Sequence, residues 1–208
     1  MADTAFVARS PFKSVAAPAR ISVSPGVIAQ DRDGLGLATI ILRRGQLEAL
    51  ARRIGELYDI ELPRGRGRAS AREVALLGLG PDSWLASNEI DGNDFAVSLR
   101  AALGPIASVS DQSDGYAVLR LSGSRVRETL AKLIPIDLHP RAFRAGDAAS
   151  TVASHIGVTL WRLDDVPDGS SVFEIAMFRS LAVDFWHALA ESAAEFGMVN
   201  PPALSEIR

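Results

Sequence analysis

Residues Val109–Phe143 read VSDQSDGYAVLRLSGSRVRETLAKLIPIDLHPRAF. In Tyr116–Leu121, Ala117, Leu119 and Leu121 alternate with Val118, Arg120 and Ser122, the period of a half-buried strand. Asp114-Gly115 precedes it, a hairpin signal that predicts pairing with a strand at Ile106–Val109. Ser122 or Ser124 is placed to cap a helix that must end before Pro135. A hairpin followed by a helix recurs outward from here.

Upstream, Leu37–Leu42 is a short apolar run of strand length. Leu47, Leu50, Ile54 and Leu57 predict a helix over Gln46–Tyr58. Ser70 and Glu73 fit a capping box, but Gly78, Gly80 and Pro81 stop that run too early for a helix. Glu73–Leu79 is therefore expected as a strand, with a second at Trp84–Ala86. Phe95, Leu99 and Leu103 mark a helix over Asp94–Leu103, closed by Gly104-Pro105.

Downstream, Thr151–Leu163 reads as one long strand. Val172–Ala176 is its hairpin partner across Pro167-Asp-Gly169. A final helix is expected from an N-cap at Ser180 to Gly197. The first 33 residues, rich in Ala, Ser and Pro, read as an arm.

The order β-α-β-β-α-β, then β-α-β-β-α, points to an α+β fold with mostly antiparallel sheets. It fits two ferredoxin-like (split βαβ) units, intertwined if strands are exchanged. The units are drawn at 34–108 and 109–208 behind the 1–33 arm, within one compact domain.

The chain has 208 residues, of which 48% are hydrophobic and 23% charged, and no cysteine. That excludes disulfides and thiol chemistry. With no apolar leader-like segment and no membrane-length run, a soluble cytoplasmic chain is expected, with no membrane partner. A net charge of −3 argues against a dedicated nucleic-acid binder.

Candidate chemistry is thin. Gly34-Leu-Gly36 and Gly78-Leu-Gly80 lack the third glycine of a dinucleotide loop. The histidines at 139, 155 and 187 show no metal-ligand spacing, and His187 with Glu191 reads as a surface contact. No serine elbow is present. Asp111 and Asp137 sit beside apolar runs, where pairing with Arg120 or Arg141 is the structural expectation. Asp164 and Asp165 read as solvated.

The strongest electrostatic feature is Arg64-Gly-Arg-Gly-Arg68, suited to phosphate or to a carboxylate-rich surface. No aromatic residues interleave with it for base stacking. Trp84, Trp161 and Trp186 are expected mostly in the core. Trp161-Arg162 also has the composition of an interface anchor.

Several motifs resemble the gamma subunit of bacterial heterotetrameric sarcosine oxidase. They are Arg9-Ser-Pro-Phe12, Leu79-Gly-Pro-Asp-Ser-Trp-Leu85, Ser110–Gly123, Pro135-Ile-Asp-Leu-His-Pro-Arg-Ala-Phe143, Leu160-Trp-Arg-Leu-Asp164, and Phe173 through Arg179-Ser180 to Phe185-Trp186. The chain departs from the family at Ile134 and at Ala148–Thr151, where cysteine is often found. Asp33–Arg72 lies outside the resemblance.

The resemblance implies a fold similar to the folate-binding domain of the glycine-cleavage T-protein (aminomethyltransferase). It implies a non-catalytic subunit with alpha, beta and delta subunits as partners, in a complex that oxidises sarcosine to glycine and passes the one-carbon unit to tetrahydrofolate. FAD, FMN, NAD, zinc and tetrahydrofolate are implied on the other subunits, with no cofactor and no catalytic residue here. The candidate partner interface is Arg9, Pro11, Phe12, Arg64, Arg66, Arg68, Asp137, His139, Arg141, Trp161 and Arg162. Two alternatives stand beside it. One is a stand-alone folate-binding or aminomethyl-transferring protein. The other is an RNA-associated module using Arg64–Arg68.

Overall fold

A computed structural model describes residues 10–15, 25–90, 92 and 94–200. The elements are β1 (Val27–Asp31), β2 (Gly36–Leu42), α1 (Leu47–Tyr58), β3 (Arg68–Ala71), β4 (Val74–Gly80), β5 (Ser83–Asn88), α2 (Phe95–Leu103) and β6 (Ala107–Asp111). They continue with β7 (Tyr116–Ser122), α3 (Val126–Ala131), β8 (Ala148–Ala153), β9 (Ile156–Leu163), β10 (Val172–Phe178), α4 (Ala182–Ala193) and β11 (Met198–Val199).

The first sheet has the order β3-β4-β5-β2-β6 and is wholly antiparallel. Without its edge strand β3, it is a β-α-β-β-α-β unit in ferredoxin-like order. The second sheet runs β11-β1-β7-β10-β9-β8. Here β7, α3, the β8–β9 hairpin, β10 and α4 repeat the plan of β2, α1, the β3–β4 hairpin, β5 and α2. The place beside β7, equivalent to that of β6 beside β2, is taken by β1 from the start of the chain. β11 then adds outside β1, parallel to it.

The two sheets pack face to face, and helices cover the outer faces. Leu50, Ile54, Phe95 and Leu99 of α1 and α2 close over Ala38, Ile40 and Trp84 of the first sheet. Val126 and Leu130 of α3, with Phe185 and Leu189 of α4, close over Leu119, Leu121, Phe173 and Ile175 of the second. Between the sheets, Leu37, Leu77 and Leu85 meet Val118, Trp161 and Ala176. Strands covered on both faces read as apolar runs rather than clean alternation, which is why β4 (VALLGLG) and β10 (VFEIAMF) do so.

Several expectations are corrected. The segment 1–33 is more than an arm: it supplies β1, whose Val27 and Ala29 are fully buried. The division at 108/109 runs through β6, and the sheet change falls between Asp111 and Tyr116. Asp114-Gly115 therefore makes no hairpin. β7 already pairs with β1 and β10 on its two sides, so β6 pairs with β2 instead. The long run Thr151–Leu163 is broken by a two-residue turn at Ser154-His155, with Ser154 at φ 55°.

Among the described residues, no serine side chain caps α3 or α4: Arg125 and Leu181 occupy their N-cap positions, and a 3₁₀ turn at Arg179–Leu181 precedes α4. That last helix stops at Ala193 rather than reaching Gly197. Among the described residues, no helix is long and apolar enough to cross a membrane.

Candidate interaction surface

Two loops, one from each unit, are joined by main-chain bonds. The first runs from Pro63 to β3. The indole Nε1 of Trp84 donates to the Pro63 carbonyl at 2.8 Å. The loop crosses β4 so closely that a Cβ on Gly78 would lie 1.7 Å from the Gly65 oxygen. The Gly78 N–H donates to the Gly67 carbonyl at 2.9 Å. Gly78 is therefore glycine for close packing, not as part of a nucleotide loop.

The second loop, Pro135–Asp147, lies between α3 and β8. Leu138 and Phe143 anchor it in the core. Asp137 Oδ1 accepts from the His139 N–H at 2.8 Å, and His139 Nδ1 accepts from the Arg141 N–H at 3.2 Å.

Two arginines beneath hold the loop's carbonyls. Arg127 donates to the Leu138 carbonyl and, at 2.5 Å, to Ser171 Oγ. Arg162, buried to 6% exposure, donates from Nη1 to the Phe143 carbonyl at 3.0 Å and from Nη2 to both Asp165 carboxylate oxygens at 2.7 and 2.9 Å. Burial pulls the Arg127 guanidinium below its ordinary pKa, and Arg162 beside it acts in the same direction. The loops meet where Gly67 bridges to Asp147 and the Arg68 N–H donates to the Gly146 carbonyl at 2.6 Å.

The interface candidates sort accordingly. Arg64, Arg66, Asp137, His139 and Arg141 are exposed on these two loops. Arg64 pairs with Glu48 at 3.0 Å. Arg68 is half-buried, with Nη1 on Ser70 Oγ at 2.8 Å and Nε without a partner. Burial lowers its pKa, opposed by the attraction of Glu174 and Glu89.

Three candidates are corrected. Phe12 is buried against Trp186, with ring centroids 5.8 Å apart. Trp161 and Arg162 are buried as well, so all three hold this chain's own core rather than its surface. Pro11 is half-buried, and Arg9 lies outside the described residues. Asp111 and Asp137 are exposed and pair with neither Arg120 nor Arg141. Each accepts from a main-chain N–H two residues on. Asp165 is held by Arg162.

A buried polar cluster between the sheets escaped the sequence reading. Glu174 is 6% exposed and accepts from Trp161 Nε1 at 2.8 Å, Arg120 Nε at 2.9 Å and Arg32 Nε at 3.1 Å. Arg32 Nη2 also reaches Glu89 at 2.6 Å. The signal was available: Arg120 and Glu174 are cross-strand partners on β7 and β10. The cavity beside the cluster is about 20 Å³, room for one water molecule. No group of three or more metal-capable side chains occurs among the described residues.

The fold defines a two-unit α+β protein with two facing, mostly antiparallel sheets and helices on their outer sides. The glycine cleavage system aminomethyltransferase T from Bartonella henselae superposes with a TM-score of 0.61 at 14% identity, over 85% of this chain and 48% of that one. The chain belongs to the sarcosine oxidase gamma subunit family, whose model matches residues 46–195. The match reaches into the Asp33–Arg72 stretch that carries none of the recognised motifs.

Sarcosine oxidase subunit gamma of Corynebacterium sp. (strain P-1) is 36% identical over 155 residues, 73% of this chain and 71% of that one. A chain of the heterotetrameric sarcosine oxidase from Corynebacterium sp. U-96, solved in complex with pyrrole 2-carboxylate, has a TM-score of 0.77. It is 28% identical, over 91% of this chain and 96% of that one.

Proposed function

We propose that this chain serves as the non-catalytic gamma subunit of a heterotetrameric sarcosine oxidase, assembling with alpha, beta and delta subunits in the cytoplasm. The complex oxidises sarcosine to glycine and passes the one-carbon unit to tetrahydrofolate. FAD, FMN, NAD, zinc and tetrahydrofolate sit on the other subunits. The observation that carries the reading is the family match over 46–195, supported by the likeness to a chain of a solved heterotetramer.

The side-chain chemistry agrees with it. The buried Arg, Glu and Trp groups between the sheets are committed to one another. Purification of the chain alone and within the co-expressed complex tests the reading. The isolated chain is expected to be colourless, inactive towards sarcosine and without calorimetric heat on titration with tetrahydrofolate. The complex is expected to be yellow and active. A yellow isolated chain, or tight folate binding by it, would overturn the assignment.

A further inference from the structure

We propose that the surface built jointly by the two loops, around Arg66, Arg141 and Arg144, is a docking site for an acidic protein surface on another subunit. The inference rests on the subunit reading and says where the assembly contact lies. The chain is net negative, −3 over its length. Yet the two bridged loops expose Arg66, Arg141 and Arg144, whose side chains have no hydrogen-bond or ion-pair partner among the described residues.

The neighbouring charges are mostly spent. Arg64 is paired with Glu48, Arg162 with Asp165, and one Asp137 oxygen is held by a main-chain N–H. Near Arg68 the opposing charges are Glu174 and Glu89, both already paired with Arg32 and Arg120, and after them exposed Asp164. Guanidinium groups offer planar forks that match carboxylates bidentately.

The two loops are also rigid. Loops of this kind are usually held loosely. These are fixed from below by Arg127, Arg162, Leu138, Phe143 and the close crossing at Gly78, and to each other at Gly67–Asp147. A surface ordered in advance loses little entropy on binding. The bound surface is protein rather than single-stranded nucleic acid. Phe143 within the second loop and Trp84, whose indole bonds the first, are both buried and offer no face for base stacking.

The test is co-expression of the full chain with the other oxidase subunits, as wild type and as the triple variant Arg66→Glu, Arg141→Glu, Arg144→Glu. Affinity for the remaining subunits and its salt dependence are measured, with thermal unfolding of each isolated chain. The wild type is expected to assemble with an affinity that falls as salt rises. The variant should melt like the wild type and bind about a hundredfold more weakly or worse.

A variant that assembles with wild-type affinity overturns the docking site and leaves the subunit reading standing. A wild type that does not assemble overturns both. If the triple variant fails to fold, Arg141→Glu alone decides, by the same loss or retention of affinity. Salt-dependent binding of single-stranded RNA by the wild type, lost in the variant, would assign the surface to nucleic acid and overturn the acidic protein.

Discussion

Glu174 is the side chain on which the inter-sheet layer depends. It is a carboxylate out of water, compensated by Trp161, Arg120 and Arg32. Removing one partner of such a cluster strands the others, at a cost of about 3 kcal/mol. Glu174→Ala should lower the free energy of unfolding in urea by that amount, moving the midpoint down, and alter the fluorescence of Trp161. An unchanged midpoint would mean the cluster is not closed.

Asp31 makes the opposite case. Burial raises its pKa above the ordinary 3.8, with the Ser10 hydroxyl opposing and Asp33 adding to the rise. The folded state therefore holds a proton more tightly than the unfolded chain. Stability falls as pH rises from about 3.8 through the raised value, and the penalty is complete above it. Asp31→Asn, which still accepts from Ser10, is expected to be more stable than wild type at neutral pH. That advantage should vanish towards pH 3 (roughly a unit below the unfolded pKa). Parallel stability curves over that window would refute the assignment.

At the scale of elements, Gly78 links a strand to a loop. A methyl group there collides with the Gly65 carbonyl, so Gly78→Ala must lift the Arg64–Gly67 loop from β4. The expected loss is about 1–3 kcal/mol, with faster hydrogen exchange at the Gly78 and Arg68 amides, whose acceptors lie in the two loops. Exchange that stays slow there would show that the loop tolerates the methyl.

What could be read from sequence follows the same physics. Helices α1 and α2 announce themselves through apolar residues at helical spacing, and the β4–β5 and β9–β10 turns through Gly80-Pro81 and Pro167-Asp-Gly169. β1 did not: VIAQD is five residues long, lies in an Ala-, Ser- and Pro-rich stretch, and pairs only with strands remote in sequence. The Ser154-His155 turn carries neither glycine nor asparagine, so two strands looked like one. Asp114-Gly115 signalled a reversal correctly. It could not signal that β7 had both its edges occupied from elsewhere.

The site was legible in composition and illegible in grouping. Arg64–Arg68 and Pro135–Arg141 both stand out in the sequence. That they are adjacent depends on one bridge between Gly67 and Asp147, which no local pattern encodes. Phe12, Trp161 and Arg162 looked like interface anchors because large aromatic and arginine side chains serve both interfaces and cores.

For the whole molecule, the two repeated units are interlocked rather than set in series. β1 lies in the second sheet and β2 in the first, with only Arg32 to Leu35 between them. Unfolding is therefore expected as a single transition in which fluorescence and far-ultraviolet circular dichroism coincide. Separate transitions for the two units would contradict the interlock.

The central claim is that this chain is a subunit of a larger flavin enzyme. It is tested most directly by co-expressing the untagged chain with tagged copies of the other oxidase subunits, then measuring size-exclusion elution by light scattering and flavin absorbance. The account predicts one yellow peak containing this chain in equal stoichiometry with the other three. Elution of this chain in a separate, colourless peak while the other subunits assemble without it would contradict the claim.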